Sequence, residues 1–585
     1  MGDFMENEEK EERESLYRHS MSHVMAKALQ EIFAKVKFAI GPSVANGFYY
    51  DTDTEVIITP EDFEKIENKM MEIINKNEDF IRKEVSKEEA REMFFDQPYK
   101  LELINEIPEN EKIGVYYLGS NFFDLCRGPH ISNTKMLKSY SFKLDKVAGA
   151  YWKGDSKNKM LQRIYGLGFL KKEDMKNYLY MMEEAVKRDH RKLGKELDLF
   201  FISDYSKGMP TYTSNGLILK NKLIEYWREV HKRAGYKEIE TPMALNKALW
   251  EVSGHWNHYK NNMYTFVAED EAYAIKPMNC PGGMLHYKER PHSYKEFPLR
   301  VGELGKVHRH EASGTLSGLL RTRCFTQDDA HIYMTPNQVP NEIKNIMELI
   351  DEVYSTFGLT YKIELSTMPK DHIGEEEEWQ LAEKQLAETL TNLNLDYKIN
   401  KGDGAFYGPK IDIHVKDSIG REWQCGTIQL DMQMPKRFGL TYIDSDGEEK
   451  EPVMIHRVIY GSLERMMAIL IEHYAGAFPL WLAPVQVKIL NINENQEEYA
   501  KLVSALLEKE NIRTESDLRN ESINKKIRDA FLMKVPYIVV VGEKEKTNEE
   551  VSVRAFGSKE QTLYKLSDFI EEIKKENLNR GKKSK

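Results

Sequence analysis

Apolar residues recur at helical spacing over residues 14–36: Tyr17, Met21, Val24, Ala28 and Ile32 form one stripe, and Met25, Leu29 and Phe33 widen it. This predicts an amphipathic helix, with His19 and His23 one turn apart and just outside the stripe, facing away from the packing. GFYY (47–50) and VIIT (56–59) read as strands and 61–75 as a helix, with mixed α/β pieces to about Leu167. The highly charged residues 172–196 predict one connecting helix, and SKGMPTYTSNG (206–216) a boundary loop. A long amphipathic helix over 217–238 leads into IETPMAL, a strand containing Pro242. Proline lacks the N–H that a ladder needs, so this strand belongs at an edge or an interface. Strands separated by loops dominate 270–465, as in an antiparallel sheet, with helices at 338–357 and 376–394. Beyond residue 484 the style changes to alternation: strand 485–492, helices 497–508 and 523–533, strands 536–542 and 550–556, and a final helix. That alternation predicts a small α/β domain with a partly parallel sheet. The closing NRGKKSK reads as a short, frayed basic tail.

Composition narrows the class. A chain of 585 residues is too long for one core, and 41% hydrophobic with 31% charged residues is the balance of a soluble globular protein. There is no apolar run of bilayer length, and the acidic start MGDFMENEEKEER fits neither a secretory signal nor a transit peptide, so a cytoplasmic location is expected. Four scattered cysteines suit a reducing compartment. The net charge of −11 argues only weakly against nucleic-acid binding, because phosphate contacts need a local basic surface.

Candidate chemistry concentrates in VHRHEASGTLSGLLRTRCFTQDDAHIY (307–333). In a hairpin of this pattern Arg309 and Glu311 share a face, with Arg321, Arg323 and Phe325 on the returning arm. Guanidiniums bind phosphates bidentately and an aromatic ring can stack on a base, so the segment fits a nucleotide site. Taken alone, it fits a solvated strand pair with cross-strand ion pairs slightly better. A second segment, MIHRVIYGSLERMMAIL (454–470), turns at Gly461-Ser462 into a helix with Glu464 and Arg465 in its first turn. A cation there is unusual unless an anion binds nearby. The pairs HxxxH (His19, His23) and CxxxH (Cys126, His130) could form a zinc site or remain separate exposed pairs.

Taken in order, Pro242, the Arg-x-Glu/Arg-x-x-x-Phe hairpin and Gly-x-x-x-Arg resemble the three signature motifs of class II aminoacyl-tRNA synthetases. KPMNCPGG, FTQDDAHIY, DGAFYGPKIDI, QCGTIQLDMQMPKRF and VMIHR bring the likeness close to the threonyl-tRNA synthetase family, from about Leu16 to Arg554. The resemblance implies an α+β multidomain fold: an antiparallel class II core, an N-terminal α+β editing domain (1–170), a linker helix (171–200), the catalytic domain (201–480) and a C-terminal α/β anticodon-binding domain (484–585). It implies ligation of threonine to tRNA(Thr) with ATP, and hydrolysis of mischarged Ser-tRNA. By the same resemblance Arg309, Glu311, Arg321, Phe325, Gln424, Thr427, Ser462 and Arg465 bind ATP, which arrives with Mg2+. Arg309, Arg321, Arg465 and Lys410 carry the catalysis, and Met278, Gln327, Asp329, Tyr407 and Gln429 bind the amino acid. Cys280, His331 and His456, too widely spaced to read as a site unaided, would hold Zn2+ that recognises threonine.

The editing pocket would comprise His19, His23, Lys100, Asp124, Cys126 and His130, without a tightly bound metal. Asn520, Glu545 and Arg554 would touch the anticodon, and the long helix with Pro242 would build a homodimer. The ubiquitin-like domain that precedes the editing domain in many members is expected to be missing. Cys324 and Gly283 stand where glycine and histidine are usual, and the 206–216 loop is poorer in glycine than the family pattern. Two rivals are a sister class II synthetase for proline or serine, and a tRNA-binding paralogue without catalysis.

Overall fold

The first helix runs over Gly2–Ile32, and from Tyr17 to Leu29 every residue but His19 is buried. The predicted one-sided stripe therefore underestimates it. The helix Phe63–Asn75, the strand Gly47–Asp53 and residues of the hairpin Ser141–Tyr151/Met160–Phe169 pack into one core with it. His23, expected to face outward, is 2% exposed. The computed structural model describes residues 2–109 and 111–580, and side chains from residue 10 onward; the basic tail at 581–585 lies outside these. The chain divides into two compact units, up to Glu183 and from Glu184.

The first unit holds a five-stranded sheet around Gly47–Asp53, Met160–Phe169 and Ser141–Tyr151, and a three-stranded antiparallel sheet of Phe80–Val85, Ile113–Leu118 and Phe122–Leu125. VIIT is not a strand. The Gln162 side chain donates to Val56 O at 2.8 Å and accepts from Ile58 N at 2.8 Å, so a side chain replaces the ladder while Ile57 stays exposed.

The connecting helix, in whose course the division between the units falls, is broken in two, Lys172–Arg188 and His190–Glu196, with Asp189 capping the latter through Arg191 N. The next helix spans Ser214–Arg233, capped by Thr213. IETPMAL does not form one strand: Lys237–Glu238 pairs parallel with 301–302, and Ala244–Asn246 joins a separate three-stranded sheet. Pro242 lies between them, and the preceding Thr241 N–H is taken by the Glu303 carboxylate at 3.0 Å. The central eight-stranded sheet is antiparallel except at its two edges. Its middle is Leu299–His308, Cys324–Met334, Val453–Val458 and Glu422–Asp431, backed by a large apolar core that includes the helices Val339–Thr356 and Leu463–His473. The C-terminal five-stranded sheet is parallel where Val487–Asn491 meets Thr514–Asp517 and Tyr537–Val541, and antiparallel beyond, as its alternating pattern predicts.

Candidate active site and a second histidine-rich pocket

One cavity of about 540 Å³ opens over the middle of the eight-stranded sheet. Strand pairing assembles its floor: Gln429 sits opposite His456, His456 opposite His331, and Thr427 and Asp329 both opposite Val458. Period-2 alternation then turns Phe325, Gln327, Asp329 and Gln429 toward the cavity. Met278, Cys280, Tyr407, Gln424, Thr427, Ser462 and His456 line it, as do all three motif arginines and Glu311.

Arg309 and Glu311 lie past the end of the strand Leu299–His308, so the predicted shared strand face is replaced by a loop. Arg309 is aimed by a bond from Nε to Pro277 O at 3.1 Å, with its guanidinium 5.1 Å from the Phe325 ring centre. Arg465 donates to Leu320 O at 3.2 Å and to Gln424 O at 2.7 Å. Arg321 pairs with Glu311 at 2.9 Å. Lys410 does not line the cavity: Asp403 and Asp412 hold its ammonium at 3.0 and 2.8 Å. Asp412 also accepts from Gln424 at 2.7 Å and Thr427 at 3.1 Å, so Lys410 touches the cavity only through that carboxylate.

Behind the arginines, the donor atoms of Cys280, His331 and His456 lie within 4.8 Å of one another, all buried. His331 Nε2 has no hydrogen-bond partner. His456 donates from Nε2 to Asp431 at 2.8 Å, which leaves Nδ1 as its lone-pair nitrogen. Burial pushes the Cys280 thiol up and the His331 pKa down. A divalent cation would offset the cost of a buried thiolate here, so the donor set fits zinc. Gly283 gives room to this set, since a Cβ there would sit 3.2 Å from His331 Nδ1. Next to it, Asn279 Oδ1 and Gln327 Oε1 are buried and unpartnered, and burial raises the Asp329 carboxyl. Asn279, Asp431 and His255 escaped the sequence reading. His255 packs on Met278, with Nε2 3.0 Å from its sulfur, and burial holds its pKa down at about 3.

The first unit gathers the other set. Cys126 Sγ lies 3.3 Å from both His19 Nε2 and His130 Nε2. The four donors of His19, His23, Cys126 and His130 lie within 4.8 Å of one another. Lys100 pairs with Asp124 at 2.6 Å, and Tyr50, missed by the sequence, donates to Asp124 and accepts from Lys100. Ser20 donates to Leu16 O and so accepts from His130 Nδ1, which leaves Nε2 of His130 unprotonated toward Cys126. Burial lowers all three imidazoles, and it pushes the Cys126 thiol up to about 11.

Among the described residues no hydrogen bond or ion pair joins Asn520, Glu545 and Arg554. Glu545 caps its own helix through Gly542 N, and Arg554 donates to Lys559 O.

The chain matches three family models: the tRNA synthetase class II core domain (G, H, P, S and T) over 264–474, an anticodon binding domain over 486–576, and the threonyl and alanyl tRNA synthetase second additional domain over 113–165. It is 55% identical over 571 residues to the threonine–tRNA ligase of Clostridioides difficile, covering 97% of this chain and 89% of that one. The chain belongs to the threonine–tRNA ligase family. The family's ligase from Acetivibrio thermocellus is likewise 55% identical over 559 residues, 95% of this chain and 88% of its own. Among solved structures, the RNA binding domain of threonyl-tRNA synthetase from Cryptosporidium parvum superposes with a TM-score of 0.65 at 42% identity, over 66% of this chain and 98% of that one. A putative threonyl-tRNA synthetase from Aeropyrum pernix gives 0.59 at 30%, over 68% and 98%. These matches favour the threonine–tRNA ligase family over the proline and serine sister families. No helix among the described residues is long and apolar enough to cross a membrane.

Proposed function

We propose that this chain activates threonine with ATP, transfers it to tRNA(Thr), and hydrolyses seryl esters formed in error. The observation that carries the reading is one cavity lined by Arg309, Arg321 and Arg465 together with Cys280 and His456, whose donor atoms group with that of buried His331. In the first step the threonine carboxylate attacks the α-phosphorus of ATP, forming threonyl adenylate and releasing pyrophosphate. In the second, a terminal ribose hydroxyl of tRNA takes the threonyl group and AMP leaves. Charge moves onto phosphate in the first step, so positioned guanidiniums supply the stabilisation and no side-chain nucleophile is needed.

Arg309, anchored through Nε, presents its remaining nitrogens to the α-phosphate. Arg321 and Arg465 take the outer phosphates, and Phe325 stacks on the adenine near Glu311. Mg2+ bound with ATP would share the neutralisation. Zinc held by Cys280, His331 and His456 would supply open coordination positions for the amino and hydroxyl groups of threonine, which valine cannot fill equally. Asp329 and Gln429, with Met278, Gln327 and Tyr407 around them, contact the hydroxyl and amino groups.

Serine lacks only a methyl, worth roughly 1–3 kcal/mol or about 10–200-fold, too little for translation. The pocket of His19, His23, Cys126 and His130 answers that shortfall. Its thiol is neutral at physiological pH, which favours attack by a positioned water over attack by a thiolate. The Lys100–Asp124–Tyr50 network orients the ester.

We assign editing to residues 1–170, the linker to 171–200, synthesis to 201–480 and anticodon contact, through Asn520, Glu545 and Arg554, to 484–585, in a cytoplasmic homodimer. A monomer in sedimentation at micromolar concentration would overturn the last point. Threonine-dependent ATP–pyrophosphate exchange tests the activation step on which the rest depends. Exchange with threonine, less with serine, none with valine and loss on metal chelation supports the reading; exchange with another amino acid, or none at all, defeats it.

A further inference from the structure

His190, at the break between the helices Lys172–Arg188 and His190–Glu196, is 1% exposed and clusters with half-buried Asp189 and buried Glu472. Its geometry is that of a fastener, and both ring nitrogens are occupied. The backbone N–H of Leu319 donates to Nε2 at 3.0 Å, so Nε2 carries the lone pair and the ring proton sits on Nδ1. Nδ1 then donates to Glu472 Oε1 at 2.7 Å, and the same oxygen accepts the backbone N–H of His190 at 3.0 Å. Arg421 binds the other carboxylate oxygen. With both nitrogens engaged, the cluster has no imidazole lone pair to offer a metal.

What the fastener holds is the loop between the two central strands. Leu319 is 1% exposed, and both it and Leu320 line the cavity. The carbonyl of Leu320 receives Arg465 Nε, and the turn Ser317–Arg321 carries the Arg321 guanidinium on its closing residue. Gly318 comes so close that a Cβ there would lie 2.1 Å from His190 Nε2, at a φ of +50° that also disfavours a side chain.

We propose that His190, oriented by Glu472, is a positioning residue for nucleotide binding: by holding Leu319 it fixes the loop that places Arg321 and receives Arg465. This rests on the reading of the cavity as the ATP site. His190 does not line the cavity, and the loop it holds carries Arg321 and receives Arg465, so its effect should fall on ATP and leave the threonine pocket alone. Removing the acceptor leaves a buried backbone N–H unpaired, and a loop released by that amount should weaken ATP binding about tenfold.

The test is ATP–pyrophosphate exchange in the full-length enzyme, with KM measured separately for ATP and threonine beside melting temperature. His190→Asn can still reach Glu472 but falls short of Leu319, whereas His190→Gln reaches Leu319. The expected result is an ATP KM raised about tenfold in His190→Asn, substantially restored in His190→Gln, with the threonine KM unchanged in both. Gly318→Ala should raise the ATP KM from the loop side, and it decides the matter if the His190 variants fail to fold. An unchanged ATP KM in His190→Asn, equal changes in both KM values, or a normal ATP KM in Gly318→Ala would overturn the proposal. If the wild-type enzyme shows no threonine-dependent exchange, it is the reading of the cavity that fails.

Discussion

At Asp431 one oxygen accepts the backbone N–H groups of Gln433 and Met434, at 2.8 and 2.9 Å, and the other accepts His456 Nε2. The carboxylate thus selects the His456 tautomer whose Nδ1 can bind a cation. In Asp431→Asn the backbone bonds keep the amide oxygen in place, and the amide NH2 faces Nε2, favouring the tautomer with a blocked Nδ1. Metal affinity should fall by about 10–100-fold, read as faster zinc loss to a competing chelator while the fold persists. Asp328, on the strand Cys324–Met334 and outside the cavity lining, supports a pH prediction. Burial pushes its carboxyl up to about 7, against an ordinary 3.8, although Ile459 and Tyr460 N–H groups both donate to it. A raised carboxyl contributes stability that is complete below the unfolded value and is lost as pH rises through the folded one. Wild-type stability should therefore lose up to roughly 1.4 kcal/mol per pH unit between about 4 and 7 from this group. Asp328→Asn keeps an acceptor and cannot ionise, so its melting temperature relative to wild type should climb across that window and level off above it. A flat difference would contradict the assignment. Neither aspartate was legible as a partner, because pairing Asp431 with His456 requires strands 25 residues apart in sequence to lie side by side.

At the level of elements, the turn at Gly461-Ser462 was legible because glycine and a capping serine precede an apolar helix. Gly461 has φ +77° and a Cβ would meet Cys425 O at 2.7 Å. Ser462 Oγ accepts the N–H of Arg465 at 3.0 Å, so the cap fixes the backbone of the residue that must present its guanidinium. Ser462→Ala should cost about 1 kcal/mol of stability and raise the KM for ATP with little change in that for threonine. A normal ATP KM beside a lowered melting temperature would reduce Ser462 to a structural cap. Three of the elements misread from sequence share one cause, namely side chains standing in for backbone. Gln162 satisfies the segment at 56–58, Glu303 takes the N–H before Pro242, and Asp189 ends one helix and starts another. Periodicity reports apolar spacing and is blind to such substitutions. The first helix was misjudged differently. Its polar positions His19 and His23 lie in a second polar cluster, so a helix read as half-exposed is buried nearly all round between Tyr17 and Leu29.

For the molecule as a whole, the two chemical sites fall in separate compact units, the histidine-rich pocket before Glu183 and the arginine-rimmed cavity after Glu184. Synthesis and correction should therefore be separable by mutation within the intact chain. The motif arginines were readable because they recur in fixed order along the chain. The histidine-rich pocket was harder, since its residues come from 19–23, 50, 100 and 124–130, and only the paired spacings HxxxH and CxxxH betray it. Replacing His23 and Cys126 together with alanine removes an imidazole and the thiol that spans His19 and His130, while touching no residue of the cavity. Threonine- and serine-dependent pyrophosphate exchange should match wild type, because the proposed reading places both in the cavity of the second unit. Deacylation of added Ser-tRNA(Thr) should fall by at least about 100-fold, the scale expected when an acid–base pair and its positioned water are lost. Serine charged onto tRNA should then accumulate to the extent that the cavity admits it, the factor of about 10–200 set by one methyl group. Normal clearance in the double variant would remove the hydrolytic role from this pocket, whereas lost exchange would show that the two units do not work independently.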